Sequence, residues 1–530
     1  MEHLCRQLTD LSDEILLIIF KKVDNVSLLY SLFGINKRLT KILHDSIFTS
    51  HLNLLNHDSN DLISRPSYSI LNRFRSQILP KIHHKVKWLN LESSSMASIL
   101  LCTNYPNLKR LGLYNLEIEK AKYLFTNEIL LFHIFKNEIL SLIIHINQND
   151  HRSDREEMNT FIFTHIFTMF NNLQYLDFVS SSYYYQQLSF NYSPPRIFSS
   201  NLLELYVTLK NFTNCLYLLD GRFNQLHTFH VNIDTITPHL KIDNKAKLPN
   251  LKCFVLNCFA VLHAFDGIIV SLLYRMSNLE ELTLNLVIFG RSSFIDGNNL
   301  KNIINHMSKL NKFTFNIHSS IYLDNQIDLP SNENIQNTLK NLTSNKIISC
   351  VDYFSEAGKG ECLIYSSPYT LKEYNNITNN FQGGLFECVR EISLFDERPF
   401  EHEFFLLVAQ SFPLIKKLTL NNLKPQKNKQ CTKSKDDKQD FSIIIYPHLT
   451  YLNLNEIHED YIEQFLDDTK TYLPNNMNLA TNHELLEKVT HNFKRDTTKI
   501  NCSRINYLYD STVLSLPKHL KHYFLHLCQF

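Results

Sequence analysis

The hexapeptide LKRLGL, residues 108–113, and its counterpart LEELTL, residues 279–284, decide how this chain is read. Apolar residues at the first, fourth and sixth positions leave the third and fifth free to vary. The alternation over the last four positions is that of a short strand with one buried face. Allowing Ile, Val and Phe for Leu, the pattern starts at Val86, Leu108, Ile139, Leu173, Leu202, Leu226, Leu251, Leu279, Leu310, Val389, Ile415 and Leu449. Successive starts lie 22 to 34 residues apart, apart from one gap of 79. A period of that length implies stacked units, and 530 residues are too many for one ordinary core.

Helical patterns separate the windows, at 118–125, 154–170, 259–276, 298–307, 401–412 and 459–467. Pairs such as Tyr105-Pro106, Leu248-Pro249, Phe412-Pro413 and Tyr446-Pro447 punctuate the units, because proline ends a helix and biases its predecessor to extended geometry. Strand plus helix at this period resembles the leucine-rich repeat. The resemblance implies an irregular α/β solenoid over 85–530, a horseshoe with parallel strands inside and helices outside. Where that family carries Asn or Cys after the last leucine, this chain has Leu116, Phe259, Val287, Leu423 or Ile457. The usual internal asparagine ladder is therefore missing, and apolar packing is expected at that corner.

Two stretches depart from the period. An irregular insertion spans about 320–387, where apolar runs at 347–354 and 363–365 flank Glu356 to Gly360 and read as a hairpin. A lysine-rich stretch at 424–440 has no apolar periodicity and reads as a solvated loop.

Ahead of the repeats lies LSDEILLIIFKKVDNVSLLYSLFGINKRLTKIL, residues 11–43. Three short amphipathic patterns follow one another, broken at Asn25 and Gly34, and Ser12 is placed to cap the first. About 40 residues in three helices are near the lower limit for an independent core, so part of this apolar surface needs a partner. The stretch resembles the F-box through Leu11, Glu14, Ile15, Ile19, Phe20, Leu28, Leu29, Leu32, Asn36, Lys37 and Arg38, with Ser12 where proline is usual. A three-helix F-box-like domain over 1–50 and a helical linker over 51–84, its helix ending near Pro80, follow from this reading.

Composition removes several classes of function. Lys and Arg total 53 against 52 Asp and Glu, a net charge of +1, so no global footprint for nucleic acid or an anionic membrane exists. No window reaches the length of a membrane span, the eleven cysteines form no CxxC pair, and the acidic N-terminus is unlike a secretory signal. A cytoplasmic or nuclear protein with reduced thiols is expected. Ten glycines in 530 residues, and no GxxxxGK(S/T) or GxGxxG, leave no phosphate loop. His483-Glu484-Leu485-Leu486-Glu487 lacks the second histidine of a zinc-protease helix, and His519, His522, His526 and Cys528 share a helical face with no partner pair elsewhere. Neither a catalytic residue, a metal nor a cofactor is expected.

The recognisable surface is the open face of the strands. Six residues on from four consecutive window starts stand Asn232, Asn257, Asn285 and Asn316, and Asn421 and Asn455 follow in the last two windows. Trp88, Tyr114, Tyr175, Tyr206, Phe395 and Tyr451 face the same way, and amides among large aromatics suit protein recognition. An asparagine at a strand end can also simply bond its own backbone to turn the chain.

An F-box-like head on a repeat body resembles the substrate receptor of a cullin-based ubiquitin ligase. The resemblance implies that Leu11, Ser12, Ile15, Leu16, Ile19, Phe20, Leu28 and Leu29 bind a Skp-type adaptor, and through it cullin, while the body holds a protein target. The alternative is a scaffold outside any ligase, in which the helical head only caps the solenoid.

Overall fold

The computed structural model describes residues 8, 11–57, 63–126, 137–147, 155–179, 186–190, 196–236, 246–263, 265–323, 329–340, 342, 345–427, 442–509 and 523–524. The chain is mixed α/β with mostly parallel strands, compatible with an α/β solenoid. It divides into two compact units, Met1–Phe289 with Asn299–Ile317, and Gly290–Asn298 with His318–Phe530. Residues 428–440 of the lysine-rich stretch and the C-terminal histidines with Cys528 lie outside the described residues.

The first unit opens with helices α1 (Asp13–Phe20), α2 (Asn25–Leu32), α3 (Lys37–Leu43) and α4 (Ser46–Thr49). Ser12 caps α1 as its position demands, Asp24 caps α2, and Gly34 makes its turn at φ +86. Asn36 caps α3, and Arg38 reaches back to Asp13 at 2.7 Å and to the Leu11 carbonyl at 2.5 Å. The Asn-Lys-Arg segment therefore ties α3 to the start of α1.

Each repeat window becomes a strand that begins two residues after its first leucine. In the first unit these are β2 (Trp88–Glu92), β3 (Arg110–Leu116), β4 (Ser141–Ile146), β5 (Tyr175–Phe178), β6 (Glu204–Asn211), β7 (Thr228–Thr235), β8 (Cys253–Leu262), and all but the last residues of β9 (Glu281–Arg291) and β10 (Lys312–Tyr322), whose ends from Gly290 and from His318 belong to the second unit. Sheet order follows chain order, and β2 to β9 are parallel neighbours. The linker is more than a helical connection, because β1 (His51–Leu54) pairs in parallel with β2 and begins the sheet. Its helix does end near Pro80, at Ile82, but it is not a regular one. A π-turn at Phe74–Ile78 resets the backbone, and Pro80 stands at the start of a further turn, where its missing N–H is tolerated.

Alternation does what the pattern requires. Leu111, Leu113, Leu142, Ile144, Leu176, Phe178, Leu205 and Val207 are buried on one face, and each is worth roughly 1.5–3 kcal/mol against exposure. Helices cover that face: Phe163, on the helix Arg155–Met169, has its ring 5.7 Å from Phe178. One expected helix, at 259–276, starts late, since β8 runs on to Leu262 before a π-turn at Phe265–Val270 and a short α-helix at Ser271–Leu273.

In the second unit the expected hairpin is present as β11 (Ile347–Phe354) and β12 (Lys359–Ser366), antiparallel. A parallel sheet follows, in the order β13 (Glu373–Ile377), β14 (Glu391–Phe395), β15 (Lys417–Asn422), β16 (Tyr451–Ile457), β17 (Met477–Thr481) and β18 (Ile505–Tyr509). Its core packs Ile392, Leu394, Leu418, Leu420, Leu452 and Leu454 with Phe405, Val408 and Phe465.

The corner expectation needs correction. Leu116 and Ile457 are buried, but Leu423 is exposed. Asparagines do form series, at other positions. Asn107, Asn172, Asn201, Asn250 and Asn278, each just before a window, donate side-chain hydrogen bonds of 2.6–3.0 Å to backbone carbonyls of the preceding repeat.

Candidate functional site

The head presents the first candidate surface. Leu16, Phe20, Leu28 and Leu29 are buried in its core, so four of the expected adaptor contacts hold the helices together instead of facing outward. Helical periodicity explains the correction: residues that recur on one face of α1 turn inward, as the ring of Phe20 does against Phe48 on α4 at 6.3 Å. Ile15 and Ile19 are open to solvent at 46% and 39%, and Ile18, which the sequence reading passed over, at 63%. Val23 and Ile35 are exposed as well. Ser12 is exposed and Leu11 half-buried. Thus α1 is apolar on its outer side as well as its inner one.

The second surface is the face of the first unit's sheet opposite the buried leucines. Register sets its rows. Trp88, Arg110, Ser141, Tyr175, Glu204, Thr228, Cys253 and Glu281 are in line across β2 to β9. The next row contains Asn90, Gly112, Ile143, Asp177, Tyr206, His230 and Val255.

At one end Trp88 stacks on His51 with ring centres 4.0 Å apart, and the Arg110 guanidinium lies 5.2 Å over the indole. The indole N–H donates to Asn90 Oδ1 at 2.8 Å, and the Asn90 amide donates to Asn53 at 3.2 Å. A Cβ at Gly112 would overlap Asn90 Oδ1, so glycine makes room for this bridge. Farther along, Tyr114 meets the ring of His145 at 4.7 Å, Tyr175 meets Tyr206 at 5.2 Å, and Tyr206 meets His230 at 4.4 Å. Burial pushes both histidines down to about 4, so they face the surface uncharged.

The amides follow. Asn232 donates to Thr208 Oγ1 at 3.2 Å, Asn257 to Asn232 Oδ1 at 2.8 Å, and Asn285 to Asn257 Oδ1 at 2.6 Å. The row is real, but its members bond one another across the strands and do not turn their own backbone. Asn316 on β10 is half-buried, and its Nδ2 makes no hydrogen bond among the described residues.

Phe395 and Tyr451 belong to the second unit. Phe395 lies 5.0 Å from Phe354, with the Lys359 ammonium 4.9 Å over its ring, and Tyr451 lies 6.2 Å from Tyr509. Asn421 is taken up by Glu456, and Asn455 is exposed.

The second unit also buries two carboxylates around a cavity of about 20 Å³, on the order of a single water. Glu361 accepts from His318 at 3.1 Å, Lys359 at 2.6 Å and Asn376 at 3.2 Å. Burial pushes its carboxyl up, but His318 and Lys359 outweigh that and hold it at about 2. Asp352, raised by burial, accepts from Thr378 and Asn380. Both are satisfied groups in a closed network. His483 pairs with Glu487 at 3.2 Å on one helix. Among the described residues no three His, Cys, Asp or Glu side chains could hold a metal, and no helix is long and apolar enough to cross a membrane.

Sequence reasoning passed over His51, Arg110, His145, Asp177 and His230. Their signal was available: Arg110 is the third residue of LKRLGL, Asp177 the fifth of LQYLDF and His230 the fifth of LHTFHV, all outward positions. No protein-family model matches the chain, and no curated protein matches it significantly.

Proposed function

We propose that this chain is the substrate-recognition subunit of an SCF-type ubiquitin ligase, with an F-box-like head that binds a Skp-type adaptor and a leucine-rich-repeat body that binds a target protein. One observation carries the reading. The outer side of α1 exposes Ile15, Ile18 and Ile19, with Val23 and Ile35 beyond it, on a head whose own core is already filled. Exposed isoleucines grouped in this way mark a surface that another protein covers. The aromatic and amide face of the first unit supplies the target-binding surface, with transfer chemistry left to other subunits.

The test uses surface residues only. In Ile15→Asp with Ile19→Asp, recovery of the adaptor with the full chain should fall at least tenfold while the circular dichroism spectrum stays unchanged. Retained adaptor overturns the proposal. Phe20 is unsuitable for this purpose, because a charge at a buried ring would unfold the head.

A second reading has its own support. Helices α2 and α4 pack on β1, the terminal strand of the sheet, and Asn25 donates to the carbonyls of Ile47 and His51 at 3.2 Å. A head that protects a strand edge is what a scaffold outside any ligase would need. Recovery of cullin with the chain from cells separates the two.

A further inference from the structure

We propose that the open face of the first unit contains a receptor for one arginine side chain of the partner protein, at Asp177 among Tyr114, Tyr175 and Tyr206. Asp177 lies in register between Ile143 and Tyr206, two residues along β5 from Tyr175. Its carboxylate accepts a single hydrogen bond, from its neighbour Val179 N at 3.1 Å. Among the described residues no cation and no side-chain donor meets it. Four other carboxylates are provided for: Glu361 has three donors, Asp352 two, Asp467 the Arg495 guanidinium at 2.8 Å and Glu156 the Lys210 ammonium at 2.7 Å. A half-buried carboxylate left unmatched on an otherwise well-bonded face calls for a positive charge from outside.

The rings define which charge. Asp177 is paired in register with Tyr206 and lies two residues from Tyr175 on the same face of the strand, and its carboxylate adds to the burial that raises the phenols of Tyr114 and Tyr175. Tyr206 lies against Tyr175 at 5.2 Å. Tyrosine faces attract a cation, and a planar guanidinium can lie along a ring while it donates two hydrogen bonds to one carboxylate. An ammonium is more strongly hydrated and loses more on entering such a site. Arg110, in line with Tyr175 across the sheet, is engaged over Trp88.

The site should also respond to pH. Burial pushes Asp177 up to about 6, against the one bond from Val179. The groups around it are Tyr114 on β3, His145 on β4, Tyr175 on β5, and Glu204 and Tyr206 on β6, with Arg110 farther along. His145 stays uncharged down to about 4 and the tyrosines are pushed up, so the charge of Asp177 is what changes as pH falls from 7.5 to 5.

The proposal rests on reading this face as the target-binding surface and makes no use of the head. Adaptor recovery and the following measurement therefore fail independently. The probes are the capped pentapeptide Gly-Gly-Arg-Gly-Gly and its lysine and citrulline counterparts, titrated into the full chain and followed by saturation-transfer NMR. At pH 7.5 the arginine peptide should bind at least fivefold tighter than the citrulline peptide and tighter than the lysine peptide. Its affinity should fall about tenfold at pH 5, as expected for a carboxylate of pKa about 6. Asp177→Asn keeps the acceptor for Val179 but removes the charge, and should bring the arginine peptide down to the citrulline level. Tyr175→Leu should weaken it by removing one ring. Equal binding of arginine and citrulline peptides, lysine binding as tight as arginine, or an arginine preference that survives Asp177→Asn each overturns the proposal.

Discussion

At Asp177 the fold keeps a carboxylate where burial disfavours its charge, so this residue acts against stability at neutral pH. Its folded pKa of about 6 lies above the ordinary carboxylate value. The folded state therefore holds the extra proton between about pH 4 and 6, and stability from this group is lost as pH rises through that window. Asp177→Asn should raise the first unit's stability by about 1–2 kcal/mol at pH 7 and by almost nothing at pH 4, read from urea unfolding at both values. Glu361 runs the other way. Its folded pKa is held at about 2, so its contribution is present above about pH 4.5 and is lost as pH falls toward 2. Glu361→Ala leaves His318, Lys359 and Asn376 without their acceptor and should cost the second unit about 3 kcal/mol in the same measurement at pH 7. Two carboxylates thus separate by their surroundings: the buried one is a structural hub, and the half-buried one is suited to receive a ligand.

Among the elements, the strands were legible because three apolar positions in six residues leave little choice of period, and each window yields a strand. Two of the strands that escaped have a physical reason. In β13 a bulge with Asn376 at φ +56 separates Tyr374 from Ile377 by three residues where two are usual, so the sixth-position apolar residue appears one place late. In β1, HLNL supplies two apolar residues and no third. The three head helices were legible to within three residues at their ends, although Asn25 opens α2 where a break was expected and the short α4 was passed over; which side of α1 packs inward was not legible, since Ile15 and Leu16 are equally apolar and only the tertiary contacts tell them apart. The outward aromatics were legible for the same reason as the strands, whereas a lone aspartate at an outward position looks like ordinary solvated surface until its missing partner is seen. The amide row can be tested as an element. Asn257→Ala removes a donor to Asn232 and an acceptor for Asn285, and should cost about 1–2 kcal/mol in urea unfolding. Asn455→Ala, at an exposed position, should change stability by less than about 0.5 kcal/mol.

For the whole molecule, the head and the repeats meet at β1, which α2 and α4 cover. Deleting residues 11–49 uncovers that strand's apolar and hydrogen-bonding surface, so the shortened chain should elute from size exclusion as aggregate at concentrations where the full chain does not. Beyond the head, the repeats are joined by more than apolar contact. The carbonyls of Lys87, Lys109, Leu140, Gln174, Leu203, His227, Lys252 and Glu280 each accept two successive amides from the next repeat at 2.7–3.1 Å, and the turn asparagines add a side-chain bond between many of the same neighbours. Fastening of this kind is local to each junction, and its mechanical consequence is that the array has no single clasp. Under tension from one end it should open repeat by repeat. A force-extension trace should rise and fall in steps of roughly 9 nm, about 26 residues at 3.4 Å each, and not release in one jump.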